Sequence, residues 1–210
     1  MISIDAIVNA NHIAIKSIKK TLPHASALYS YALTQHKKVS WISEGLDRRF
    51  SFLPWYDAIR LEEKKSADYT LEADMAIMEL YRFFIDNSIK INKKMATALY
   101  TGFFVEYENF TSKECNGTVF AAVGKLIELG AEHQLAVEHI IKSKGLNLIR
   151  LKSLLFSKVR LIQNATVAYV EISDDDLRAT GTLREDLDLI SKELLEIAHV
   201  QEVQINYKEV

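Results

Sequence analysis

HIAIKSIKKTLPHASALYSYALTQHKKVSWIS, residues 12–43, decides the fold class. Its first seven residues alternate apolar and polar side chains and carry β-branched isoleucines, the period of a half-buried strand. From 25 to 35, the segment around SALYSYAL has helical spacing. HKKVSWIS then returns to strand character over 39–42. Strand, helix and strand in that order make a βαβ unit, whose two strands run parallel. The expected class is α/β, built on a parallel sheet with helices.

Beyond this unit, Pro54 in GLDRRFSFLPWYDAIR marks a turn or a helix start, and EEKKSAD (62–68) reads as an exposed charged connector. Leu71, Met75, Met78, Leu80, Phe83 and Phe84 give 71–87 an amphipathic helical period. A more apolar helix is expected over 93–107 and a third over 117–129, which Gly130 closes in a left-handed cap. AEHQLAVEHII continues as helix to about Ser143. Gly145 then opens a different pattern. NLIRLKSLLFSK is helical, and KVRLIQNATVAYVEI alternates through a turn at Asn164 and Ala165, as a hairpin does. Ser173 is placed to cap a short acidic helix that ends at Gly181, a further helix spans 183–198, and VQEVQINYKE finishes as a strand. Two domains are expected, 1–140 and 141–210.

The 210 residues are 49% hydrophobic and 26% charged with net charge −2, so the total charge points to neither a nucleic-acid binder nor a membrane-surface protein. One cysteine, Cys115, leaves no intramolecular disulfide and no cysteine zinc cluster, and fits a reducing compartment. The first residues lack the pattern of a signal peptide, and no apolar run reaches the roughly 20 residues of a membrane span. A soluble cytoplasmic protein without membrane contact is the expectation. Charge is nevertheless segregated. Lys142, Lys144, Arg150, Lys152, Lys158 and Arg160 occur with no acid between them, and the next stretch is rich in Asp and Glu. The basic run is either a phosphate-attracting patch or a solvated helix face.

No glycine-rich phosphate loop, no His-Glu-x-x-His and no Cys-x-x-Cys is present. Glu132 and His139 share a helical face while His133 and His139 do not, a poor ligand set. His24 follows Pro23 at the turn after the first strand, where ligands of open parallel sheets bind. Phe50, Phe52, Trp55 and Tyr56 suit either base stacking or, more simply, core packing. ATALYTGFFVEYENF (96–110) reads as a buried helix that ends on Glu106 and Glu108, acids fit for a metal site or for a solvated helix end.

That last block carries a resemblance. KKMATALYTGFFVEYENF followed by GTVFAAVGKLIELGA is similar to the second half of the catalytic domain of DHH-family phosphoesterases. Thr101, Gly102, Phe110, Gly130 and Ala131 match the family pattern, and Glu106 stands where the family places an aspartate of a two-manganese centre. HIAIKSI, SALYSYALTQHKKVSWIS and RFSFLPW resemble the first βαβ unit of the branch that degrades short oligoribonucleotides and 3′-phosphoadenosine 5′-phosphate. VAYVEISDDDLRATGTLREDLDLI resembles the start of the DHH-associated C-terminal domain. The resemblance implies a shortened parallel-sheet DHH-like domain followed by a partial α/β C-terminal domain.

Departures from the family are equally specific. The first turn reads KKTLPHAS instead of an Asp-x-Asp, and no Asp-His-His occurs. AIRLEEKKSAD (58–68) fills the place of the family's metal-bearing strands, which points to an internal deletion near 60–70. The sequence stops before the family's glycine-rich phosphate clamp. A pair of divalent cations needs several hard oxygen and imidazole ligands, more than one glutamate supplies. The expectation is a pseudoenzyme without cofactor, acting as a binding or scaffolding module. The alternative is a manganese-dependent phosphoesterase for short RNA or nucleoside bisphosphates, with Glu106 as metal ligand, His24 as catalytic partner, and Asp68 or Asp74 as further acids. A sheet shortened in this way exposes strand edges, so a homodimer or a bound protein partner is expected.

Overall fold

The computed structural model describes residues 2–62, 67–142 and 145–208. The chain divides into two compact units, Met1–Ser143 and Lys144–Val210.

The first unit opens with α1 (Ile4–Asn9), whose N-terminus is capped by the Ser3 hydroxyl accepting from the Ala6 N–H. The βαβ unit follows as β1 (His12–Ile18), α2 (Leu22–Thr34) and β2 (Lys38–Glu44), with β1 and β2 parallel over their full length. Two short strands come next, β3 (Ile59–Arg60) and β4 (Tyr69–Glu72). The four strands form one parallel sheet in the order β3-β2-β1-β4. Four helices complete the unit: α3 (Ile77–Asp86), α4 (Lys93–Glu106), α5 (Gly117–Glu128) and α6 (His133–Ala136), the last running into a π-turn over Val137–Ile141.

Register separates the two faces of the sheet. Ile13 and Ile15 lie beside Val39 and Trp41, and Ile15 also lies beside Leu71. These side chains belong to the core with Leu28 and Ala32 of α2 and Met95, Leu99 and Phe103 of α4. Helix α2 packs on β1 and β2, and α4 packs on α2. The alternate positions are polar at Lys16, Ser40, Thr70 and Glu72, and the His12 ring is hydrogen-bonded to Ser40 Oγ at 2.8 Å. Fully buried Trp41 donates its indole N–H to Ser17 Oγ at 2.9 Å, which satisfies the one polar atom of the largest core side chain.

The helix expected over 71–87 begins only at Ile77. Residues 69–72 form β4 instead, with Leu71 buried next to Ile15. The helical period is genuine from Ile77 onward, and four strand residues are too few to announce their own period against it. The stretch 58–68 itself contributes only the two-residue strand β3, and β4 follows it directly. Residues 63–66 of the charged connector lie outside the described residues, as does the expected helix end at Ser143. Pro54 sits in a turn, not at a helix start: Trp55 adopts a left-handed φ of 68°, and Ser26 Oγ donates to the Pro54 carbonyl at 2.8 Å.

The second unit holds α7 (Leu146–Lys158), β5 (Arg160–Ile162), β6 (Val167–Ser173), α8 (Asp174–Thr180), α9 (Leu187–Leu194) and β7 (Glu202–Lys208). Strands β5 and β6 form the hairpin, and β7 joins β6 in parallel. The turn passes through Gln163, Asn164 and Ala165, all at positive φ. Ser173 and Asp176 cap α8 reciprocally, and Gly181 ends it at φ 70°. Helix α9 is shorter than the expected 183–198, being preceded by a 3₁₀ turn at Arg184–Asp186. Leu151, Leu155, Val170, Ile172 and Leu194 form its core. The segregated charges meet here. Lys152 pairs with Glu193, Lys158 with Asp176 at 2.7 Å and Arg160 with Glu171 at 3.4 Å, so much of the basic run is neutralised within the unit. Among the described residues, no helix is long and apolar enough to cross a membrane.

Candidate functional site

In an open parallel sheet, the carboxyl ends of the strands border a crevice, because the chain leaves neighbouring strands in different directions. Such a cleft, of about 400 Å³, lies here. Its wall takes Lys16, Ser17 and Ile18 from the end of β1, Ile42 and Glu44 from β2, and Glu72, Ala73 and Asp74 from the end of β4, with Thr21 and Leu61 beside them. Among the described residues the lining charges are one lysine and three carboxylates, with two hydroxyls and exposed Ile18 and Leu61 adding hydrogen-bonding and apolar surface.

Four of these lining residues, Lys16, Ser17, Glu44 and Glu72, went unnoticed in the sequence. Their signal is positional: each lies at or just before the carboxyl end of a strand. Glu72 stays hidden as long as 71–87 is read as one helix. Asp74 is at the cleft, but Asp68 is not. Its carboxylate accepts the N–H groups of Asn11 and His12, both at 2.9 Å, at the amino end of β1. The His12 and Asn11 hydrogen bonds hold the Asp68 carboxyl below the usual carboxylate range. Asp68 is a staple of the sheet's opposite end.

His24 and Glu106, 82 positions apart in sequence, are brought together by the packing of α2 on α4. His24 lies in the first turn of α2 and is only 3% exposed. Its Nε2 is 3.5 Å from Glu106 Oε2, and neither ring nitrogen makes a hydrogen bond. Glu106 ends α4 and keeps 36% of its side-chain surface exposed. Its carboxylate accepts the Ile77 N–H, at 3.0 Å to Oε2 and 3.3 Å to Oε1. Next to it, burial, then the negative charge of Glu106, push the Tyr107 phenol above its usual range. Past α4 the chain takes three consecutive left-handed residues, Glu108, Asn109 and Phe110. That turn brings Phe110 back against Tyr100 and Phe104, with ring centroids 5.9 and 5.5 Å away. Three non-glycine residues in this region carry strain, which the buried aromatic cluster offsets.

The remaining sequence candidates do not converge. Glu132 stands just before α6 and pairs with Lys93 at 2.9 Å, while the His139 ring lies against Phe52 with centroids 4.9 Å apart. Phe50 is buried, and Trp55 donates to Ser30 Oγ at 3.1 Å beneath the Lys94 ammonium, so these aromatics anchor their loop. A two-manganese centre bridged by water requires many hard ligands around two points. Glu106 and His24 offer one carboxylate, already accepting a backbone N–H, and one imidazole. Among the described residues, no three His, Cys, Asp or Glu side chains are grouped to hold a metal ion. This donor set does not fit a two-metal centre.

No protein-family model and no curated protein sequence matches the chain. Its fold is similar to that of a solved structure, an exopolyphosphatase-related protein from Bacteroides fragilis. The TM-score is 0.77 at 13% identity, covering 93% of this chain and 75% of that one. The two proteins share a mixed α/β fold with a parallel sheet flanked by helices.

Proposed function

We propose that this chain is a phosphoesterase-fold protein of DHH lineage whose strand-end cleft binds a ligand without two-metal hydrolysis, so that it acts as a binding or scaffolding module. The observation that carries this reading is the Glu106 carboxylate. At the position matching the family's metal-binding aspartate, it is engaged by the Ile77 N–H and faces a single histidine. Short RNA or a nucleotide phosphate is the ligand class. A nucleotide offers a sugar, a base and few charges to Ser17, Thr21, Ile18 and Leu61, whereas a long polyphosphate would meet Glu44, Glu72 and Asp74 with Lys16 as the one lining cation among the described residues. The sheet edge at β4 is the surface through which a second copy or a protein partner would add strands. A cytoplasmic setting accords with the single cysteine.

The test is manganese titration by calorimetry alongside hydrolysis assays on a dinucleotide RNA, a nucleoside bisphosphate and polyphosphate. Neither saturable micromolar manganese binding nor turnover is expected. Turnover that Glu106→Ala abolishes would sink the reading. Light scattering after size-exclusion chromatography checks the partner expectation, and a monomer at high concentration counts against self-association. The second reading, a manganese-dependent phosphoesterase, draws on the proximity of His24 to Glu106 and on the fold shared with an exopolyphosphatase-related protein. It predicts the opposite result in the same assays.

A further inference from the structure

We infer that Glu106 is a positioning residue, a metal-independent tie that holds the start of α3. Helix α3 has no cap of its own. Its N-cap residue is Ala76, whose side chain cannot accept a hydrogen bond, while Asn92, Asn116 and Ser173 cap α4, α5 and α8 from within their own segments. The first N–H of α3 belongs to Ile77, a residue that is 0% exposed. A buried helix N–H without an acceptor is costly, and a carboxylate is the acceptor that the helix dipole favours there.

Glu106 supplies that acceptor from another helix, with both oxygens within 3.3 Å of the Ile77 nitrogen. The oxygen nearer Ile77 is also the one 3.5 Å from His24 Nε2. One carboxylate therefore touches α3 and α2 from its place on α4. One turn earlier on the same face of α4, Gly102 makes the approach possible, since a Cβ there would stand 2.4 Å from Ile77 Cδ1.

Side-chain length is the discriminating property. Aspartate is one C–C bond shorter, about 1.5 Å, which lengthens the 3.0 Å contact to about 4.5 Å, beyond hydrogen-bonding range. Glutamine keeps both the length and a carbonyl acceptor. The experiment uses the full chain and reads hydrogen exchange of the Ile77 amide by NMR, with the thermal midpoint, for Glu106→Gln, Glu106→Asp and Glu106→Ala. The Gln variant should keep Ile77 protected. The Asp and Ala variants should exchange about tenfold faster and melt about 2–4 °C lower, as expected for loss of one cap. Wild-type protection of Ile77 in either the Asp or the Ala variant overturns the inference, as does an unprotected Ile77 in the Gln variant. The tie does not depend on whether the cleft is catalytic, so the amide readout and the turnover assays fail separately.

Discussion

Replacing Gly102 with alanine should destabilise the protein, although alanine is the better helix former. Gly102 lies inside α4, and a Cβ built on it would come within 2.4 Å of Ile77 Cδ1 and 2.8 Å of Cγ1. Ordinary carbon contacts are about 3.5–4.0 Å, so Ile77 would have to retreat by roughly 1 Å. Ile77 is 0% exposed, so its side chain can retreat only against close-packed core neighbours. Overpacking costs about 1–3 kcal/mol, and two Ile77 atoms inside 3 Å at a fully buried site put this case in the upper part of that range, about 2–3 kcal/mol. Helix propensity returns about 1 kcal/mol, which leaves a net loss of about 1–2 kcal/mol. For a chain of this size that lowers the thermal midpoint by about 3–6 °C. Gly124, inside α5, provides the control, because a Cβ there meets nothing within 4 Å. Gly124→Ala should raise the midpoint by about 2 °C through propensity alone. Circular dichroism melts of both variants make the comparison. A Gly102→Ala protein as stable as wild type would refute the packing argument. Adding Ile77→Ala to Gly102→Ala should then cost less than the sum of the two single changes, since the clashing atoms are gone.

Three further outcomes follow from the same structure. Ser17→Ala strands the indole N–H of fully buried Trp41 and should cost about 1–3 kcal/mol, read by urea denaturation with tryptophan fluorescence; an unchanged midpoint would show that another acceptor takes over. Ser173→Ala removes the hydroxyl half of the cap of α8 and should cost the second unit about 1 kcal/mol, with the urea midpoint lowered and the slope unchanged. Asp68 has its folded-state carboxyl held low, so its stabilisation is complete above the unfolded carboxylate value of about 3.9 and disappears as pH falls through the folded value. Asp68→Asn should therefore flatten the acid limb of a stability–pH profile below about pH 4, and profiles that stay parallel would rule out Asp68 as a contributor.

What could be read from the sequence was whatever a local period or a local cap expresses. The alternation in HIAIKSI, the apolar run of α4, Gly130 at φ 88° and the Ser173 cap each lie within one turn or strand, and each was legible without coordinates. The resemblance at 96–110 likewise singled out Glu106. Strand β4 was not legible, because four residues acquire their identity only by lying beside β1. The cleft depended on that strand and stayed hidden with it. The pairing of the basic run with Glu193, Asp176 and Glu171 was invisible for the same reason: charges read along the chain show segregation, whereas folding brings opposite signs together. The sequence by itself determined the elements that carry a local period or cap and which acid ends α4. Tertiary structure alone decided what that acid does, because the acceptor on Glu106, the N–H of Ile77 and the ring of His24 come from three different helices, and only packing sets the distances between them.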